Sequence, residues 1–140
     1  MAIEIKPIAE FLNNKAVLER VPKELLLMAE KRLPWTGYLG FEDDELIGMC
    51  SFKDEPTKEG TVEIGYFTFP ENEGRGYASA MARGLVTLAE ASDGVKHVLA
   101  HTLKGENAST SILKKLNFEF KGDVIDPEDG SVWRWVKGVD

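Results

Sequence analysis

The chain has 140 residues, 43% of them hydrophobic and 29% charged, which is the make-up of one folded domain and excludes a disordered tail or a fibrous repeat. Seventeen lysines and arginines against twenty-four aspartates and glutamates leave a formal net charge of −7, so no broad basic face exists to displace counterions from a nucleic-acid backbone. The single cysteine, Cys50, excludes an internal disulfide and a thiolate zinc cluster. Met1–Pro7 has no secretory apolar core, and no run of about 18 apolar residues occurs. The expectation is a cytoplasmic protein that crosses no membrane.

Between Ile8 and Pro34 the apolar residues recur at helical spacing, with Pro22 placed as a first-turn proline, which predicts two short helices. Trp35 to Phe41 and Leu46 to Phe52 read as strands joined across the acidic turn Asp43-Asp44. After the polar loop Lys53 to Gly60, the segment Thr61 to Phe69 is rich in β-branched and aromatic residues and is ended by Pro70, so it is a strand. Ala78 to Ala91 carries two adjacent apolar rows, Met81-Leu85-Leu88 and Ala82-Val86-Ala89, and is a helix with a broad buried side. Val95 to Thr102 is the next strand. Ala108, Ile112 and Leu116 mark one face of a short helix ending near Asn117. Phe118 to Val124 and Val132 to Val136 form a last hairpin across Asp126–Gly130. The order is an α+β pattern around one sheet, a single domain over residues 1–140.

The stretch Pro70-Glu-Asn-Glu-Gly-Arg-Gly-Tyr-Ala-Ser79 places a glycine-rich turn between a strand and a long helix. A helix start has unpaired N–H groups and a positive dipole end, so with Gly74 and Gly76 allowing close approach it suits a phosphate or pyrophosphate, and Arg75 adds a positive charge. The plainer reading is a tight connection that needs glycines only for its backbone angles. The P-loop pattern is absent and the dinucleotide fingerprint lacks its third small residue, which leaves NAD or ATP binding a minor alternative.

Three segments together, Val62-Glu-Ile-Gly-Tyr-Phe-Thr-Phe-Pro70, Glu73-Gly-Arg-Gly-Tyr-Ala78, and Glu106-Asn-Ala-Ser-Thr running to Leu116-Asn-Phe118, resemble the GNAT superfamily of acetyl-CoA-dependent N-acetyltransferases, and within it the ribosomal-protein-acetyltransferase-like branch. The likeness covers roughly residues 35–136 and includes the last hairpin. It implies a GNAT-like acyl-CoA N-acyltransferase fold: a mostly antiparallel twisted mixed sheet with one parallel, splayed strand pair and flanking helices. It also implies acetyl transfer from acetyl-CoA, a cosubstrate, to a primary amine on a small molecule or protein N-terminus, with no metal, in a monomer or homodimer. The alternative is a CoA-binding sensor of the same fold without turnover.

The resemblance further implies individual roles. Amides of Gly74, Arg75, Gly76, Tyr77 and Ala78 hold the CoA pyrophosphate. The strand backbone at Phe67 and Phe69 hydrogen-bonds the pantetheine arm, and the Phe67 N–H stabilises the oxyanion formed as the amine attacks. Glu63 is the general base, because an ammonium must lose a proton before it can attack; the plainer reading is a strand glutamate facing solvent or an ion pair. Asn107 contacts the pantetheine arm, caps the helix, or does both. Ser109 and Ser111 are candidates for assisting the departing thiolate. Two departures stand out: Glu73 replaces the usual glutamine or arginine, and Leu113 stands where many relatives carry a general-acid tyrosine.

Other residues read as structural. His97 and His101 are spaced to share a strand face but lack nearby acidic ligands for a metal. Trp133 and Trp135 alternate to one side of the last strand, as core residues do. Asp126, Glu128 and Asp129 form an acidic turn bordering the acceptor side in the implied fold.

Overall fold

The computed structural model describes residues 3–139. Among them seven strands form one sheet: β1 (Ile3–Pro7), β2 (Gly37–Glu42), β3 (Glu45–Phe52), β4 (Thr61–Thr68), β5 (His97–Thr102), β6 (Glu119–Asp126) and β7 (Gly130–Gly138), in spatial order β1-β2-β3-β4-β5-β7-β6. Every neighbouring pair is antiparallel except β4–β5. That exception follows from chain order, since a long helix, α3 (Tyr77–Glu90), crosses over between β4 and β5 and a crossover returns the chain in the same direction. The parallel ladder is short. It pairs Thr61–Ile64 with His97–Ala100 and then stops, so the two strands part at Gly65.

The sheet carries a core on each face. On one side α3 buries Tyr77, Met81, Ala82, Leu85, Val86 and Ala89 against Ile47, Val62, Ile64 and Val98, and α4 (Ala108–Lys115) adds Leu113. Leu85 is fully buried, so Leu85→Ala costs about 2–5 kcal/mol. On the other side Ile8, Val21, Leu25, Leu39 and Phe41 form a smaller cluster under the N-terminal segment.

That N-terminal segment differs from the two helices expected. It is a series of single turns: a 3-10 turn at Ile8–Phe11, α1 (Lys15–Leu18), α2 (Lys23–Leu26) and a 3-10 turn at Leu27–Glu30. Asn14 and Pro22 each reset the backbone to an extended conformation as N-caps, and the runs between are too short to propagate a helix. Strand β1 was not anticipated either; its five residues pair only with β2 at the sheet edge. The hairpins β2–β3 and β6–β7, the helices α3 and α4, and strands β4 and β5 lie where the sequence puts them, within a residue or two except that β6 and β7 run on to the hairpin turn. Asp43 and Asn117 take left-handed backbone angles at the β2–β3 turn and the end of α4, as turn and C-cap residues do.

Candidate functional site

Where β4 and β5 part, a cleft of about 460 Å³ opens between the end of β4, the bend 70–76, the start of α3 and one face of α4. The two helix starts facing it are unlike. That of α4 carries a side-chain cap: Asn107 Oδ1 accepts from the Thr110 N–H at 3.0 Å, Thr110 Oγ1 accepts from the Asn107 N–H at 3.0 Å, and Asn107 Nδ2 donates to the carbonyls of Leu103 and Gly105. That of α3 is open. Its N-cap is Gly76, in the left-handed region at φ 81°, and no side chain caps it, so the N–H groups of Tyr77, Ala78 and Ser79 lack the intrahelical partners that begin with Ala80. Both Gly74 and Gly76 have φ near +81°, and a Cβ on either would meet nothing within 4 Å, so backbone angle rather than crowding selects glycine there.

The phase of β4 decides which main-chain groups face the gap. The Lys53 N–H donates to the Glu63 carbonyl at 2.8 Å, and the Phe69 N–H donates to the Ile47 carbonyl at 3.1 Å. Odd-numbered residues of β4 thus turn their main-chain groups toward β3, and Phe67, in register opposite Met49, is one of them. The Phe67 carbonyl is also the nearest atom to where a Cβ on Gly48 of β3 would lie. The resemblance names the backbone of Phe67 and Phe69 for the arm; by this register the main-chain groups turned toward the gap are those of Tyr66 and Thr68. Their side chains point into the same cleft. The Tyr66 hydroxyl lies 3.5 Å from the Ser109 carbonyl, and burial pushes it up to about 12. Thr68 Oγ1 is buried with no hydrogen-bond partner among the described residues, a polar atom left for something that enters the cleft.

Other expected residues fall in and out of this cleft. Phe67, Glu73, Gly74, Gly76, Tyr77, Ala78, Ser109 and Ser111 border it, and so does Lys115, which no sequence motif singles out. Arg75 does not. It leans on the Tyr77 hydroxyl and faces Glu45 and Glu42, and these contacts hold its guanidinium more firmly protonated. The Tyr77 ring is buried, and its hydroxyl donates to Glu42 Oε1 at 2.6 Å, which raises the phenol above its ordinary value. Tyr77 thus offers the cleft its N–H and not its hydroxyl. Leu113 is fully buried in the main core.

On the opposite face of the sheet, Glu63 stands one pair before the strands part. Its Oε2 lies 3.0 Å from His101 Nδ1, and Arg134 Nε donates to His101 Nε2 at 3.2 Å. His97, on the same strand, is exposed, and no cluster of three or more His, Cys, Asp or Glu suited to a metal occurs among the described residues. The acidic hairpin tip is internally satisfied: Asp126 Oδ2 accepts from the N–H groups of Glu128 and Asp129, and these bonds hold its carboxyl below the usual carboxylate range. Phe120, Trp133 and Trp135 pack edge to face, and the Trp135 indole N–H donates to Thr102, so both tryptophans serve packing.

A family model described as the acetyltransferase (GNAT) domain matches residues 8–119. The chain belongs to the GNAT family. Among similar proteins, an uncharacterised N-acetyltransferase p20 of Bacillus licheniformis is 30% identical over 87 residues, 62% of this chain and 49% of that protein. This GNAT chain therefore aligns with about half the length of the curated relative it matches. The ribosomal L7/L12 alpha-N-protein acetyltransferase RimL in complex with coenzyme A superposes with TM-score 0.67 at 20% identity, over 74% of this chain and 62% of that one. An apo crystal form of RimL superposes with TM-score 0.78 at 18% identity, over 100% of this chain and 95% of that one. These likenesses establish the fold: a GNAT sheet, mostly antiparallel, with one parallel pair.

Proposed function

We propose that this GNAT chain transfers an acetyl group from acetyl-CoA to a primary amine, on a small molecule or a protein N-terminus, by direct attack with both substrates bound. The observation that carries this reading is the early end of the β4–β5 ladder at Ile64–Ala100, which opens a cleft beside an uncapped helix start and leaves Glu63 on the far face of the same gap. The cleft suits coenzyme A on its own chemistry. The unpaired N–H groups of Tyr77, Ala78 and Ser79, with the open glycine bend, favour a diphosphate. Tyr66 and Thr68 offer main-chain groups to an amide-bearing arm, and Thr68 Oγ1 lacks a partner. Lys115 supplies the positive charge that Arg75 does not. The thioester, when bound, supplies an acetyl group already activated for transfer.

The protein's own residues supply position and proton handling. Glu63, 28% exposed at its side chain, accepts a proton from the incoming ammonium. The Tyr66 N–H is the donor aimed at the gap where charge builds on the carbonyl oxygen, a contribution of about 3–4 kcal/mol in comparable sites. Ser109 and Ser111 border the cleft and are available to the departing sulfur, and Tyr66, protonated at neutral pH, shares that border. Asn107 spends its side chain on the cap, so its part is to hold α4 in place beside the arm.

Incubating the protein and acetyl-CoA with polyamines, amino acids, aminoglycosides and peptides with free N-termini, while following CoA thiol release, tests this reading. Turnover with at least one acceptor, falling at least about 100-fold in Glu63→Gln, is expected; no turnover with any acceptor overturns it. The buried Leu113, at the position of the missing tyrosine, favours a second reading, a CoA-binding module without turnover. Thermal stabilisation by CoA with no thiol release from any acceptor would select it.

A further inference from the structure

We propose that His101 and Arg134 are positioning residues that aim the Glu63 carboxylate, an inference that rests on Glu63 being the base. The three side chains sit on three adjacent strands. His101 of β5 lies directly opposite Arg134 of β7, and Glu63 of β4 is in register with Leu99, two residues before His101, so all three share one sheet face. An arginine Nε–H can only donate, so the bond from Arg134 Nε to His101 Nε2 at 3.2 Å requires that Nε2 present a lone pair. The single N–H of the neutral ring is then on Nδ1, 3.0 Å from Glu63 Oε2, and is given to that oxygen.

The order of the contacts sets the order of control. Arg134 on Nε2 and the acceptor-only carboxylate on Nδ1 agree on one tautomer, Arg134 holds the ring in place, the ring holds Oε2, and Oε1, which has no hydrogen-bond partner among the described residues, faces the incoming amine. The proton passes from the ammonium nitrogen to Oε1, and His101 keeps its own N–H throughout. Burial supports the division of labour. The His101 side chain is 11% exposed against 28% for Glu63, so water competes weakly for the ring while the carboxylate stays reachable. A glutamate held by one oxygen loses the side-chain freedom that would otherwise scatter the other, and misplacement by about 1 Å can cost on the order of 100-fold in rate.

The first test needs no turnover. Nitrogen NMR of the imidazole in the unliganded protein at neutral pH is expected to show Nδ1 protonated and Nε2 bare, with the bare Nε2 signal moving downfield in Arg134→Met as its donor is lost. A ring protonated on Nε2, or an Nε2 signal unmoved in Arg134→Met, overturns the proposal. The second test is kinetic. His101→Leu is expected to lower kcat about 10- to 100-fold with KM for acetyl-CoA within about twofold. His101→Asn, whose amide N–H reaches the place of Nδ1–H, should restore most of that loss. An undiminished kcat in His101→Leu, or an asparagine variant no better than the leucine one, refutes the positioning role. Absence of turnover in the unaltered protein would instead remove the acetyl-transfer reading, and the NMR result would still decide the Arg134–His101–Glu63 arrangement.

Discussion

The Lys53 N–H donates to the Glu63 carbonyl at 2.8 Å, and that bond sets the phase of all of β4. Because main-chain groups alternate sides along a strand, it assigns Tyr66 and Thr68 to the gap and Phe67 to β3. It also fixes the side chains. Glu63 and Phe67 project to one face, while Val62, Ile64, Tyr66 and Thr68 project to the other, toward α3 and α4.

Thr68 gives a prediction in which stability and binding move in opposite directions. Its buried hydroxyl has no partner among the described residues, so Thr68→Val removes an unpaid desolvation cost and should stabilise the free protein by about 1 kcal/mol. The same change should weaken CoA severalfold if that hydroxyl meets the ligand. Urea unfolding of the free protein and calorimetry with CoA read the two effects separately. A loss of stability with unchanged affinity would refute both.

Gly76 should tolerate no side chain. Gly76→Ala forces a residue with a Cβ to φ 81° at the start of α3, at a cost of about 1–2 kcal/mol. Gly138→Ala serves as the comparison: it lies in β7 with open space around it and no positive φ, and should stay within about 0.5 kcal/mol. Denaturant midpoints of the two variants measure the difference. Equal midpoints would show that the bend does not depend on its glycine.

Much of this geometry was legible in the sequence and some was not, for physical reasons. Period and end signals gave α3, α4 and the hairpins, because Met81, Leu85 and Leu88 or Asn107 and Asn117 act through neighbours a turn away. The phase of β4 was hidden, since Tyr66, Phe67 and Phe69 are all aromatic and alternation cannot choose between them; the choice comes from register with β3. His101 and Arg134 meet because β5 pairs with β7 and skips β6, a contact across thirty-three positions that no local pattern encodes. Arg75 lies in the local signature, yet its side chain is not among those that line the cleft, a placement that depends on the fold around the bend and not on the motif.

That placement separates two cations. Lys115 borders the cleft and Arg75 does not, so Lys115→Ala should raise the CoA dissociation constant severalfold and reduce its salt dependence, while Arg75→Ala should leave it within about twofold. Calorimetric titration at two ionic strengths reads both. A larger loss in Arg75→Ala than in Lys115→Ala would return Arg75 to the phosphate site.

Tyr66 predicts an alkaline limit on stability. Burial raises its phenol from 10.0 to about 12, so the folded state holds a proton that the unfolded chain releases near pH 10. The neutral phenol's contribution is thus complete below about pH 10 and is lost as pH rises toward 12, by on the order of 2 kcal/mol over two units. Tyr38, also raised to about 12 by burial, adds a loss of the same sign. Tyr66→Phe removes the titrating group from the cleft, so its unfolding free energy should fall less steeply between pH 10 and 12 than that of the unaltered protein. Parallel curves for the two proteins over that interval would show that the Tyr66 hydroxyl is exposed to water, and that the cleft beside Ser109 is wider than described.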